Sequence, residues 1–419
     1  MDHFSYQHGI YHTENLAIPE LATRIGTPFY CYSSATLRHH FRVFHDALSG
    51  LNPLICFAVK ANSNLGVLAT LATEGAGADV VSEGELRRAL VAGIAPEKIV
   101  FSGVGKTTDE MLFALQQNIY QFNVESDREL RALNAVASSM GKRAPVALRV
   151  NPDVDAATHA KISTGKKENK FGITMDSAPE IYALAAQLPG IQVVGVSVHI
   201  GSQLTTLSPF RTAYKKVRAL VEGLRAAGHP ITRIDLGGGL GVPYLRSDDV
   251  PPPPAEYAKI VRETMADLNA QLMFEPGRLI AGNAGILVTK VLYVKQAAAH
   301  LYVIVDAGMN DLMRPALYDA QHEILPICAS DAPLTKVTVA GPVCESSDVF
   351  AKDIMLPLPT EGDLLALRTA GAYGASMANS YNSRLLIPEL LVKGSEFAIT
   401  RPRPSYEEML AAERLPEWI

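Results

Sequence analysis

Several markers of specialised environments are scarce in these 419 residues. Only four cysteines occur, Cys31, Cys56, Cys328 and Cys344, with no C-x-x-C pair among them. That excludes a disulfide framework or a cysteine-built metal cluster, and makes a reduced, cytoplasmic protein without a metal the expected class. No apolar run is long enough to span a bilayer. The amino-terminal M-D-H-F-S-Y-Q-H-G has neither a basic segment nor an apolar core, so no signal peptide is expected. The charge imbalance is mild: 38 Lys and Arg against 43 Asp and Glu leave a net −5. Such a balance gives no reason to expect nucleic acid or an anionic membrane as partner.

What is present suits a soluble, enzyme-sized protein, with 48% hydrophobic and 19% charged residues. The length is that of a large barrel with a second domain. One stretch organises the rest, L-I-C-F-A-V-K-A-N at Leu54 to Asn62. A short apolar run ends in a single lysine, Lys60, as a buried strand would end at a mouth. Seven further runs follow, and most also stop at unusual polar residues. They are Ala78–Val81, Ile99–Phe101, Gln121–Val124, Val146–Val150, Val193–Val198, Ile231–Leu236 and Leu272–Phe274. Helical patterns lie between them, such as Gly84–Ala92, Asp127–Met140, Ala178–Gln187 and Phe210–Ala227. Eight strand–helix units predict a (β/α)8 TIM-like barrel over residues 36–279, whose chemistry would sit at the C-terminal ends of the strands. After Ile280 the pattern turns to strands with few helices: Gly285–Gln296, Leu301–Val305, Leu334–Val339, Leu364–Arg368 and Phe397–Ile399. Residues 280–419 therefore read as a mostly-β domain. The strand-like Thr27–Ser33 precedes the barrel pattern, which assigns residues 1–35 to that second domain. Asp153–Lys170 reads as a polar loop over the strand ends, and Pro251–Pro254 as a rigid spacer.

The polar strand ends carry a consistent chemistry. Lys60 suits a Schiff base, since partial burial at a barrel mouth favours the neutral amine that attacks a carbonyl. G-G-G-L-G at Gly237 to Gly241 offers backbone amides to a close anion, and Arg278 in E-P-G-R can add charge to the same phosphate. Glu275 can keep a facing pyridine nitrogen protonated, and His199 in H-I-G-S-Q can stack on the ring. Ser202 can donate to the phosphate, Arg149 can orient the glutamate or the cofactor, and Asp79 or Glu83 can support the second strand end. Each also has a plainer reading: a solvent-reaching lysine, a glycine turn, a structural histidine, a turn-capping serine, a structural ion pair, a helix-start acid. Lysine, phosphate cradle, acid and stacking ring on separate strand ends together specify pyridoxal 5′-phosphate.

With F-A-V-K-A-N at Phe57, S-T-G-K-K-E-N-K-F-G-I at Ser163, H-I-G-S-Q at His199, G-G-G-L-G and E-P-G-R, the chain resembles the fold-type III, alanine-racemase-fold decarboxylases. M-R-P-A-L-Y at Met313, G-P-V-C-E-S at Gly341 and G-A-Y-G at Gly371 extend the likeness over nearly the whole chain. The resemblance implies that Lys60 carries the cofactor and that His199 stacks on it. Glu275 would pair with the pyridine nitrogen, and Gly237, Gly238 and Gly239 would take the phosphate, with Ser202, Gly277 and Arg278 in the same cofactor site. Cys344 would be the proton donor; Arg278, Arg314, Tyr318 and Glu345 would hold the substrate, and Tyr373 would touch both. A head-to-tail homodimer with shared active sites is implied, Cys344 and Glu345 entering the partner's barrel mouth. An arginine and a glutamate at the far end of the substrate suit a zwitterion, so decarboxylation of meso-2,6-diaminopimelate to L-lysine is expected, rather than of ornithine or arginine. The rivals are a decarboxylase of another basic amino acid, a non-catalytic pyridoxal-phosphate-binding protein, and a racemase, which would need an acid/base on the opposite ring face. Arg314 and Tyr318 read alternatively as domain contacts, Tyr373 as a core aromatic, and Cys344 as a small buried hydrophobe.

Overall fold

The structure is a computed structural model that describes residues 2–155, 170–245, 250–298 and 300–419. Most of the loop expected at Asp153–Lys170 lies outside the described residues. The chain forms two compact units: Arg38–Val242 with Asp249–Ile280, and Met1–Leu37 with Pro243–Asp248 and Ala281–Ile419. The first is a closed parallel barrel. Its strands in sequence order are Leu54–Ala58, Gly77–Val80, Ile99–Phe101, Gln121–Val124, Ala144–Asn151, Ile191–Val198, Arg233–Asp235 and Gln271–Phe274. Each pairs in parallel with the next, and the eighth closes on the first through Met273 beside Leu54. The strands are short and buried on both faces, which is why they read as near-continuous apolar runs. Phe57, Phe101, Phe122 and Phe274 fill the unit without solvent contact.

Several helices in the first half of the barrel start at a side-chain cap in the loop that follows a strand. Ser82 accepts from the Glu85 amide at 3.2 Å, Ser126 from the Glu129 amide at 3.1 Å, and Thr107 with Glu110 forms a reciprocal capping box. These caps turn the chain sharply, so the residue just past each strand stays at the barrel's C-terminal rim. Of the proline run read as a rigid spacer, the last residue begins a helix. Pro253 flanks and Pro254 opens the helix Pro254–Met265, where a missing N–H costs nothing.

The second unit is built on one mixed sheet. Its order is Val349–Pro357, Leu334–Ala340, His300–Val305, Gly285–Ala297, Phe29–Ser33, Glu389–Lys393 and Glu396–Arg401. Phe29–Ser33 runs antiparallel to Gly285–Ala297 and parallel to Glu389–Lys393. Phe29, Cys31, Ile286, Val288, Leu390 and Val392 share a buried cluster. Ile324–Pro326, Val349–Pro357 and Glu389–Lys393 are strands that the sequence pattern did not bring out. Pro243–Asp248 joins this unit from inside the span read as barrel, because Tyr244 packs on His322 and under Arg314. Among the described residues no helix is long and apolar enough to cross a membrane, and no group of His, Cys, Asp and Glu could hold a metal.

Candidate active site

Lys60 lies just past the first barrel strand, in the single 3-10 turn Val59–Ala61. Its Nζ donates to Asp79 Oδ2 at 2.5 Å, the carboxylate being fully buried on the second strand and the lysine 38% exposed. Asp79 thus takes the supporting role, whereas Glu83 sits in the first turn of its helix and pairs with Arg87. Asp79 Oδ1 is buried with no hydrogen-bond partner among the described residues.

Deeper in the barrel is a polar network that the apolar runs concealed. Asn123 Nδ2 lies 2.7 Å from Asp235 Oδ2, 3.2 Å from Glu275 Oε1 and 3.1 Å from Ser102 Oγ. Gln121 donates to Asn123 Oδ1 at 2.8 Å and fixes which way that amide faces. Ser102 donates to Glu275 Oε1 at 3.3 Å. Burial pushes the Glu275 carboxyl well above its ordinary range; Asp235 and Asp79 add to this and Lys60 opposes it. Asp235 is also raised, chiefly by burial, but hydrogen bonds from Glu275, the Gly237 amide and Asn123 hold it down. Glu275 is therefore the member of the pair that keeps the proton. Three carboxyl groups, Asp79, Asp235 and Glu275, share one ammonium here. Such a site is completed by a further cationic N–H, and a protonated pyridine nitrogen fits it.

The glycines lie alongside. A Cβ on Gly238 would fall 2.2 Å from the Glu275 carbonyl oxygen, and Gly237 has φ +67° with a Cβ position 2.5 Å from the Val198 carbonyl, so no side chain is accommodated at either. Two of the three amides read as a cradle are committed within the chain. Gly237 donates to Asp235 Oδ1 at 2.9 Å, and Gly238 to His199 Nδ1 at 3.2 Å. The N–H of Gly239 has no partner among the described residues, and Gly239 packs against the Gly201 carbonyl beside Ser202. Arg278, buried after E-P-G, donates from Nη2 to Ser202 Oγ at 3.1 Å. The Gly277 carbonyl accepts the Ile280 amide and begins that turn. One amide, one hydroxyl and one guanidinium are thus gathered at a single spot, a donor set suited to a phosphate.

Because Nδ1 of His199 accepts a hydrogen bond, any ring proton of the neutral side chain is on Nε2. Burial, with the Arg149 and Lys60 charges, pushes its pKa well down, so the ring is uncharged. Arg149 is engaged by Glu125 at 3.0 Å, not by Glu275, and lies over the Phe171 ring at 4.9 Å. Glu125 also accepts the Gly103 and Gly172 amides. Glu85, which the sequence reading passed over, accepts the Val81 amide at 2.8 Å, and burial pushes its carboxyl up to about 7.

The β unit holds the remaining residues. Arg314 opens the short helix Arg314–Tyr318 and is buried; Tyr318, one turn on, is half-buried. Arg314 Nη1 lies 3.0 Å from His322 Nε2, with its guanidinium 4.4 Å from the centre of the Tyr244 ring. Tyr373 is half-buried at φ +57°. Cys344 is an exposed thiol whose backbone N–H donates to Asn382 Oδ1 at 3.1 Å. Ser347 and Tyr381 hydrogen-bond Glu345 and hold its carboxyl below the usual range, hence ionised. His322, Tyr244, Ser347, Tyr381 and Asn382 went unnoticed in the sequence.

A lysine on a barrel rim, an acid cluster and a phosphate cradle define a pyridoxal-phosphate enzyme. Residues 34–282 match the pyridoxal binding domain of the pyridoxal-dependent decarboxylases, so the cofactor is pyridoxal 5′-phosphate. The diaminopimelate decarboxylase of Vibrio cholerae is 50% identical over 420 residues, covering all of both chains. The crystal structure of diaminopimelate decarboxylase from Helicobacter pylori complexed with L-lysine superposes with a TM-score of 0.91 at 43% identity, covering 94% of this chain and 98% of that one. The M. jannaschii enzyme in co-complex with L-lysine gives a TM-score of 0.94 at 38% identity, covering 99% and 98%. The chain belongs to the diaminopimelate decarboxylase family.

Proposed function

We propose that this protein removes carbon dioxide from one end of meso-2,6-diaminopimelate and releases L-lysine, completing lysine biosynthesis. The observation that carries the substrate is two opposite charges on the β unit, Arg314, buried and held, and Glu345, kept ionised and, in a head-to-tail homodimer, offered to the site of the other subunit. The distal end of diaminopimelate is an amino acid, and these two match its carboxylate and its ammonium. Ornithine has only an ammonium there, which an arginine opposes.

When bound, pyridoxal phosphate supplies the aldehyde that takes the substrate amine and the ring that accepts the electron pair left by the departing carboxylate. The residues do the rest. Lys60 would hold the cofactor at its aldehyde until a substrate amine replaces it. Glu275 would pair with the pyridine nitrogen and keep it protonated, and the uncharged His199 would stack on the ring. The Gly239 amide, Ser202 and Arg278 would take the phosphate, beside a turn whose close packing requires Gly237 and Gly238. Tyr373 and Tyr318 line the substrate. The bond from the α-carbon to the carboxylate breaks and carbon dioxide leaves. The Cys344 thiol then gives its proton to that carbon, and the thiolate recovers one from solvent. Cys344 and Glu345 are exposed on their own subunit, which supports a head-to-tail homodimer in which they serve the partner's site. Four unpaired thiols support a reducing, cytoplasmic setting.

The test is carbon dioxide release by the holoenzyme on diaminopimelate, lysine, ornithine and arginine in parallel. Release from diaminopimelate alone, with lysine as product, is expected; release from ornithine or arginine overturns the substrate assignment. Cys344→Ala is expected to slow turnover by about 100-fold with cofactor still bound, as loss of a positioned acid does. Full activity in that variant removes Cys344 from the reaction.

A further inference from the structure

Arg314 donates through all its nitrogens and accepts through none. Its contact with His322 Nε2 at 3.0 Å therefore requires a lone pair on that nitrogen. On the other side of the ring, His322 Nδ1 lies 2.8 Å from the Arg368 carbonyl oxygen, which only accepts, so Nδ1 carries the hydrogen. The two neighbours together fix one neutral tautomer. The ring is 3% exposed and meets Tyr244 edge-on at 5.1 Å between centroids, while the face of Tyr244 lies under Arg314. Arg368 is itself pinned, its guanidinium bonded to Glu323 and Asp2, both at 2.6 Å, and its amide to the Glu323 carbonyl at 2.8 Å. The chain of contacts runs from a sheet-anchored backbone through a rigid ring to one nitrogen of Arg314. An arginine held this way gives up its rotamer freedom on folding rather than on binding.

We infer that His322 is a positioning residue that aims Arg314 at the distal carboxylate and so sets the preference for substrates that carry one. The inference rests on the assignment of Arg314 to that carboxylate. His322 supplies only a fixed acceptor, so an acceptor of similar reach replaces it. Gln retains an oxygen near Nε2. Asn is too short to reach Arg314 yet can still donate to the Arg368 carbonyl, which keeps the local fold; Leu removes both bonds.

The experiment uses full-length holoenzyme and steady-state kinetics on diaminopimelate. Inhibition by L-lysine, which keeps the distal amino-acid end, is compared with that by cadaverine, the same chain without a carboxylate. His322→Asn and His322→Leu are expected to raise KM about 10-fold or more, with kcat within about 3-fold, as for loss of binding that is equal in ground and transition states. L-lysine inhibition should weaken by the same factor and cadaverine inhibition should not move. His322→Gln should stay within about 3-fold of the parent in every parameter. An unchanged KM in His322→Asn overturns the inference, as does an equal loss for L-lysine and cadaverine or a fall confined to kcat. Should His322→Leu not fold, the Asn and Gln variants decide alone. A parent enzyme that ignores diaminopimelate would instead overturn the substrate assignment, and the two failures are separate results.

Discussion

Lys60→Ala protein is expected to bind pyridoxal phosphate without covalent attachment and to lose roughly 10³-fold or more of its decarboxylation rate, the scale on which removal of a reacting group acts. Among the described residues, the other lysine buried in the barrel is not free to replace it. Lys106, elsewhere in the barrel, is 1% exposed and locked to Glu129 at 2.7 Å and to two carbonyls. The same substitution withdraws the cation from Asp79 and its acidic neighbours, so the cofactor-free variant should also unfold at a lower temperature than its parent. Borohydride reduction followed by mass spectrometry reads the attachment directly. Cofactor still fixed to the chain in Lys60→Ala would sink the assignment of Lys60, whatever the rate.

Glu275→Gln is the second large effect, and its two consequences have opposite signs. The amide keeps the shape and the contacts from Ser102 and Asn123, but cannot hold a pyridine nitrogen protonated. Turnover should fall about 100- to 1000-fold while Lys60 still takes the cofactor. Stability should move the other way. A buried acid whose pKa is raised on folding binds its proton more tightly in the folded state. It costs nothing below the ordinary value of 4.5 and costs progressively more as pH rises above it. Gln removes that cost. Without cofactor, the variant should match the parent near pH 4 and melt higher at pH 8. A variant that is destabilised at pH 8, or that turns over normally, contradicts the placement of Glu275.

The barrel and its rim were legible because a strand buried on both faces must be apolar until its last residue, and the first polar one marks the mouth. That rule located Lys60, His199, the glycines and Glu275. It also concealed what lies below them. Asn123 in Q-F-N-V and Asp235 in R-I-D-L sit inside runs that otherwise read as core. A polar residue within a doubly buried strand is itself the signal, since it must find a partner inside the barrel. The β unit was less readable. Val349–Pro357 carries Asp353 at φ +52° and pairs with its neighbour through two register shifts, which break the alternation that marks a strand. Ile324–Pro326 is three residues long and ends in proline. Nothing local in D-A-Q-H-E distinguishes His322, because its task is defined by residues that are distant in sequence.

Phe29–Ser33 is wedged between Gly285–Ala297 and Glu389–Lys393. A ribosome makes this strand before any of the barrel, and both strands that flank it only after the barrel is finished. During synthesis it packs on Phe4, Tyr11 and Ile18 at most, and lacks both of its hydrogen-bonding neighbours. The parallel barrel can close on the growing chain, whereas the sheet waits for Glu389–Lys393 to emerge. A chain stalled short of Glu389 therefore lacks one neighbour of Phe29–Ser33, leaving an open edge that quality-control proteases and chaperones can read.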